Sequence, residues 1–101
     1  MDYTEQLKDI FNEHKGKENA IYAKDIAKLL EITEDATVPK TRQAIKKFME
    51  NSGIPIGGNS KVGYYVVTND TEFDECIDSL DSRIKGIKDR KATLTKNYRK
   101  D

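Results

Sequence analysis

Six side chains between positions 40 and 47 carry the chemistry most easily named in this sequence: Lys40, Thr41, Arg42, Gln43, Lys46 and Lys47. On one helix, an arginine can pair with guanine through two hydrogen bonds and a glutamine with adenine. Arg42 and Gln43 are therefore the base-reading candidates, and Lys40, Lys46 and Lys47 suit phosphate contacts. Thr41 falls within the same run, but it also continues the apolar stripe Val38, Ala44, Ile45, Phe48 and Met49, the side expected to be buried. Asn59, Ser60 and Lys61 lie farther on, in a glycine-rich turn, where they could touch an adjacent backbone or groove.

Other chemistries find less to work with. Cys76 lies on an acidic segment, which disfavours a thiolate nucleophile. His14 is the sole histidine, and no cysteine or second histidine near it completes a metal set. Gly57 and Gly58 are not followed by the lysine and hydroxyl of a phosphate loop. The expectation is a non-catalytic protein with no cofactor and no metal.

The 101 residues fit one small domain, lean in apolar side chains at 36% and equally rich in charge. The net charge is zero but unevenly spread. Residues 1–36 hold five bases against nine acids, and residues 37–68 hold five bases against Glu50 alone. Residues 69–81 hold six acids and no base, whereas residues 82–101 hold eight bases against two acids. Such blocks bear on partners rather than on fold. No long apolar run or secretory leader is expected, so no membrane span is either. A lone cysteine suits a reducing, cytoplasmic setting.

The elements that must position these residues follow from periodicity. Tyr3, Leu7, Ile10 and Phe11 predict a helix over 3–15, with Asp2 as its cap and Gly16 as its stop. Ile21 and Tyr22 could pair as a short edge strand. A second helix is expected from Ala23 to Leu30, with Ile26, Leu29 and Leu30 facing the core, and Ile32 plugging the core from the turn. The third helix is expected over 37–51, with Thr37 as cap and Pro39 in the first turn. Residues 54–67 read as a hairpin turning at 57–60, with Tyr64 and Val66 on one face and Tyr65 and Val67 on the other. One tyrosine should meet the core and the other a partner; the sequence does not say which.

Asp70 or Thr71 is expected to cap the last helix. Its apolar positions Phe73, Ile77, Leu80, Ile84, Ile87, Leu94 and Tyr98 form a heptad seam interrupted once, at Lys91. Gly86 weakens its middle or marks a bend or a close crossing.

This order of elements resembles the winged helix-turn-helix family over residues 1–68. Residues 25–32 stand for the second helix and turn, 37–51 for the recognition helix and 54–67 for the wing. The likeness extends loosely to small phage- and prophage-encoded proteins with a long terminal helix after a Gly-Tyr-Tyr strand. In that family a glycine commonly follows the second helix; here Glu31 stands there. The resemblance implies an α+β, mainly helical fold, with a DNA-binding domain at 1–68 and a dimerisation helix at 69–101 forming a coiled coil. The implied function is a homodimeric regulator of transcription or replication on double-stranded DNA, with the wing on adjacent backbone.

Two alternatives stay open. The chain could instead be a protein-interaction module, such as a viral factor docking its acidic segment 70–81 or its wing on a host or replisome protein. The last helix could also fold back on the first, burying Phe73, Ile77 and Leu80 against Leu7, Ile10 and Phe11 in a monomer.

Overall fold

The computed structural model describes residues 2–33, 38–59 and 61–99. It is mainly helical, with one two-stranded antiparallel sheet and a long C-terminal helix. The elements are α1 (Thr4–Asn12), a 3-10 turn (Lys17–Asn19), α2 (Ala23–Leu29), α3 (Pro39–Ser52), β1 (Ile56–Asn59), β2 (Gly63–Val66) and α4 (Asp70–Tyr98).

Tyr3, rather than Asp2, stands at the N-cap of α1; Asp2, one residue before it, accepts the Thr4 backbone N–H at 2.9 Å and the Thr4 hydroxyl. Leu7 and Phe11 bury one face of the helix. The helix stops at Asn12, three residues before the expected end, because the next backbone groups are claimed by the hairpin. Val66 donates its N–H to the His14 carbonyl at 2.9 Å, and Gly16 donates to the Val66 carbonyl at 2.8 Å. Ile21 then exchanges two backbone hydrogen bonds with Tyr64, of 2.8 and 2.7 Å. The outer edge of β2 is thereby covered by two isolated bridges, Lys15 with Val66 and Ile21 with Tyr64.

In α2 the buried side chains are Ala23, Ile26 and Ala27, followed by Leu30 just past its end. Leu29, expected in the core, is 59% exposed. At about 100° per residue it lies roughly 110° from the centre of that buried arc. The small alanines face Val38 instead, and Ile32 packs against both halves of the core, as its place in the turn suggests.

The end of α2 is closed by paired bonds, Ile32 N–H to the Ala27 carbonyl and Glu31 N–H to the Lys28 carbonyl, a Schellman motif. That motif needs a left-handed residue, and Glu31 supplies it at φ +58° where glycine is the usual occupant. Val38 is also left-handed, at φ +47°, and takes the N-cap position of α3 ahead of Pro39. The expected cap, Thr37, lies outside the described residues. In α3 Thr41, Ile45 and Phe48 point inward, and the Phe11 and Phe48 rings stack at 6.0 Å. Met49, expected to be buried, is 36% exposed.

The hairpin pairs Ile56 with Val66, Gly57 with Tyr65, Gly58 with Tyr64 and Asn59 with Gly63. Gly57 and Gly58 were expected in the turn but belong to β1, because their missing side chains make room for neighbours. A Cβ on Gly57 would sit 2.5 Å from the Cys76 sulfur, and one on Gly58 would sit 1.9 Å from the Gly63 carbonyl oxygen. The turn itself is held by Asn59, whose Oδ1 accepts the Lys61 and Val62 N–H groups at 2.8 and 3.0 Å.

Both faces of the hairpin are covered. Ile56, Tyr64 and Val66 pack on the helical core. Tyr65, only 3% exposed, lies under α4 with its hydroxyl 3.2 Å from the Cys76 sulfur. Tyr64 packs on the core and Tyr65 under α4, so neither is the freely exposed ring expected, because α4 occupies the second face.

Asn69, rather than Asp70 or Thr71, caps α4, accepting the Glu72 N–H at 2.9 Å. Glu72 reaches back to the Thr68 N–H and hydroxyl and to the Lys17 N–H, at 2.8–3.0 Å. Those bonds fix the phase of the helix, turning Glu72 and Cys76 toward the hairpin. The apolar seam is therefore not folded onto α1. Phe73, Ile77 and Leu80 stay exposed with the rest of the seam, and no residue of α4 is fully buried. Among the described residues nothing lies within 4 Å of the Cβ position of Gly86.

Candidate nucleic-acid interface

On α3 the side chains of Lys40, Arg42, Gln43, Lys46 and Lys47 are exposed. Thr41 is 0% exposed, one turn before Ile45 on the buried stripe, so it offers nothing to a ligand and leaves the candidate set. The cations split between two flanks. Arg42 and Lys46, four residues apart, stand on the flank toward the hairpin, where they border an open groove of about 440 Å3. Lys47 turns the other way, beside Asp2 and Asn51 in a smaller depression. The Asp2 carboxyl is held below its usual range mainly by its hydrogen bonds from Thr4, with a smaller attraction from Lys47. Gln43 borders neither concavity.

The groove has three walls. Helix α3 gives Arg42, Lys46 and Met49; the hairpin gives Ile56, Asn59 and Val62; α4 gives Ser79, Leu80 and Arg83. Its floor is apolar and its rim basic. Lys17 also reaches the rim, but it is engaged with Glu75 at 2.9 Å, which raises the lysine's pKa. Among the described residues Glu75 is the only acid lining the groove. Among the described residues no ion pair engages Arg42, Lys46 or Arg83.

Arg83 is the residue that sequence reasoning missed. It lies 41 positions after Arg42 in a block read only as a basic tail. The signal that could find it is the cap at Asn69, which sets which side of α4 meets the hairpin. Of the hairpin candidates, Asn59 spends its carbonyl oxygen on closing the turn, leaving only its amide N–H groups. Lys61 is exposed at the tip, and Ser60 lies outside the described residues.

Cys76 is packed between the Tyr65 hydroxyl and Gly57, and Tyr65 has its pKa pushed far up, first by burial and then by the Cys76 contact. The phenol therefore stays protonated at neutral pH. His14 is held at the end of α1 by a 2.7 Å contact between its Nδ1 and the Asn19 carbonyl oxygen. Among the described residues no three His, Cys, Asp or Glu side chains gather as metal ligands. Nor is any helix long and apolar enough to cross a membrane.

No protein-family model, curated protein or solved structure matches this chain. Its function has to be read from its own residues.

Proposed function

We propose that this chain is a non-catalytic DNA-binding regulator of winged-helix design, with α3 as its reading helix and the turn after Asn59 as its wing. The observation that carries the reading is the rim shared by Arg42, Lys46 and Arg83, three exposed cations engaged by no acid among the described residues. A surface of that kind binds phosphates by displacing condensed counterions, with affinity that falls steeply as salt rises. Gln43 and Lys40 extend it along the outward face of α3, and Lys61 at the hairpin tip. Arg42 and Gln43 would supply base contacts and the lysines register on the backbone. The lone thiol suits action in a cytoplasmic, reducing compartment.

The regulator would act as a homodimer through α4. Seven exposed apolar side chains lie along one stripe of that helix, from Ile77 at 39% to Tyr98 at 79% exposure. Full burial of an exposed aliphatic or phenylalanine side chain is worth roughly 1.5–3 kcal/mol, and these, already part-covered, would each gain a fraction of that. A helix of 29 residues spans about 43 Å at 1.5 Å per residue, far past the hairpin it docks on.

Mobility shifts on random duplex DNA at graded salt test the reading. Salt-sensitive binding by the wild type is expected, weakened by Arg42→Ala and abolished at moderate salt by Lys46→Glu with Lys47→Glu. Absence of binding by the wild type at low salt would sink it. The apolar floor of the groove, with Met49, Ile56 and Leu80, favours a second reading in which the same surface receives a protein. Binding to DNA without a salt slope, or none at all, would turn attention to that reading.

A further inference from the structure

We propose that α4 pairs with α4 of a second copy in antiparallel register, with Ile84 of each chain opposite Ile87 of the other. This rests on the homodimer reading above and specifies its geometry. The seam runs Phe73, Ile77, Leu80, Ile84, Ile87, Lys91, Leu94, Tyr98, in steps of four and three that read the same from either end. Antiparallel pairing about its midpoint sets Phe73 against Tyr98, Ile77 against Leu94, Leu80 against Lys91 and Ile84 against Ile87. Every exposed apolar residue of the stripe then finds a partner. Sliding by one heptad strands two residues of each chain.

Charge selects the direction. Residues 69–81 carry six acids and no base, and residues 82–101 carry eight bases against two acids. Glu72 and Glu75 are used within the chain. Among the described residues, no ion pair engages Asp70, Asp74, Asp78 or Asp81. Antiparallel pairing lays this acidic half on the basic half of the second copy, and the helix dipoles oppose as well. Parallel pairing lays acid on acid and base on base.

The interruption at Lys91 gives the same answer. In a parallel pair two lysines would abut in the seam. In the antiparallel pair each Lys91 lies over Leu80 with Asp81 alongside. One flank then sets Asp81 against Lys88. The other brings Arg90 of the second copy toward Arg83, a like-charge contact that offsets part of that gain while enlarging the basic rim that already holds Arg42 and Lys46. The two globular ends would sit roughly 40 Å apart along the rod, of the order of one turn of DNA, about 34–36 Å.

Pulsed electron spin resonance on the full chain tests the direction, with Cys76→Ser and one spin label at either Ser82→Cys or Lys96→Cys. Antiparallel pairing expects the label separation at 96 to exceed that at 82 by roughly 20 Å, from the 1.5 Å rise. Equal separations overturn the proposal while leaving the dimer. Charge exchange in the native background gives an independent check. Asp81→Lys should weaken dimerisation about tenfold by sedimentation equilibrium, and adding Lys88→Asp should restore it. A double variant no better than the single one overturns the proposal. A chain that sediments as a monomer overturns both it and the homodimer, while leaving DNA binding by one copy to stand on its own mobility shifts.

Discussion

The hydroxyl of Tyr65 lies 3.2 Å from the sulfur of Cys76, and through this contact α4 closes over the outer face of the hairpin. Paired with Tyr65, on β1, is Gly57, whose Cβ position falls 2.5 Å from the same sulfur and 3.0 Å from a Val67 methyl. Helix and strand approach this closely because residue 57 has no side chain. Gly57→Ala should destabilise the protein by about 1–3 kcal/mol in urea unfolding, the usual cost of overpacking. With Cys76→Ala as background the cost should fall. An equal cost in both backgrounds would show that the sulfur contact is not its cause.

Glu31 offers a gain instead. It holds φ +58° to close α2, a conformation that costs a non-glycine residue roughly 1–2 kcal/mol. Its side chain is exposed, so nothing is lost from the core on removing it. Glu31→Gly should stabilise by about 0.5–1 kcal/mol after allowing for the greater freedom of the unfolded chain. Lys28→Gly, inside the same helix, should destabilise by about 1 kcal/mol. Thermal melts that rank the two the other way would dismiss the strain at Glu31.

The anchoring of α4 should depend on pH through Glu72. Its carboxyl is held below the ordinary value of 4.5, first by the Lys17 backbone N–H and then by Thr68. A carboxyl with a depressed pKa in the folded state stabilises fully above its unfolded value and loses that contribution as pH falls through the folded one. The base of α4 should therefore loosen below about pH 4.5, visible as lower protection of the Lys17 and Thr68 amides once exchange is compared with that of the free peptide at each pH. Glu72→Gln should show the lower protection at neutral pH and lose that acid dependence. A wild-type profile flat from pH 6 to 3 at those amides, by contrast, would remove Glu72 as the clasp.

Under the proposed function, Arg83 distinguishes a DNA surface that includes the groove from one confined to α3. Each cation that neutralises a phosphate contributes about 0.9 to the slope of log affinity against log salt. Lys46→Ala and Arg83→Ala should each reduce the slope by about that amount, whereas Arg42→Ala, the loss of a base contact, should relax sequence preference. Lys47→Ala, beside Asp2 on the opposite flank, should reduce it less. A full slope with Arg83→Ala would confine any DNA contact to α3.

The sequence by itself determined the helices, the strand-forming run at Tyr64–Val67 and the heptad seam, because each is written as local periodicity. It also placed Ile21 at a strand edge and Ile32 in the core. Where it failed, a distant group had taken over. Helix α1 ends early because Val66 claims the backbone of residues 14–16, and Gly57 sits in a strand because Cys76 needs its space. Thr41 left the candidate surface because the phase of α3 is set by Ile45 and Phe48, whatever polar atom position 41 carries. Only the tertiary structure decided that Arg42, Lys46 and Arg83 share one rim. That grouping depends on the angle at which α4 leaves the hairpin, fixed by Asn69, Glu72 and the Tyr65–Cys76 contact. Periodicity records which face of a helix is apolar, but not where the chain carries that helix.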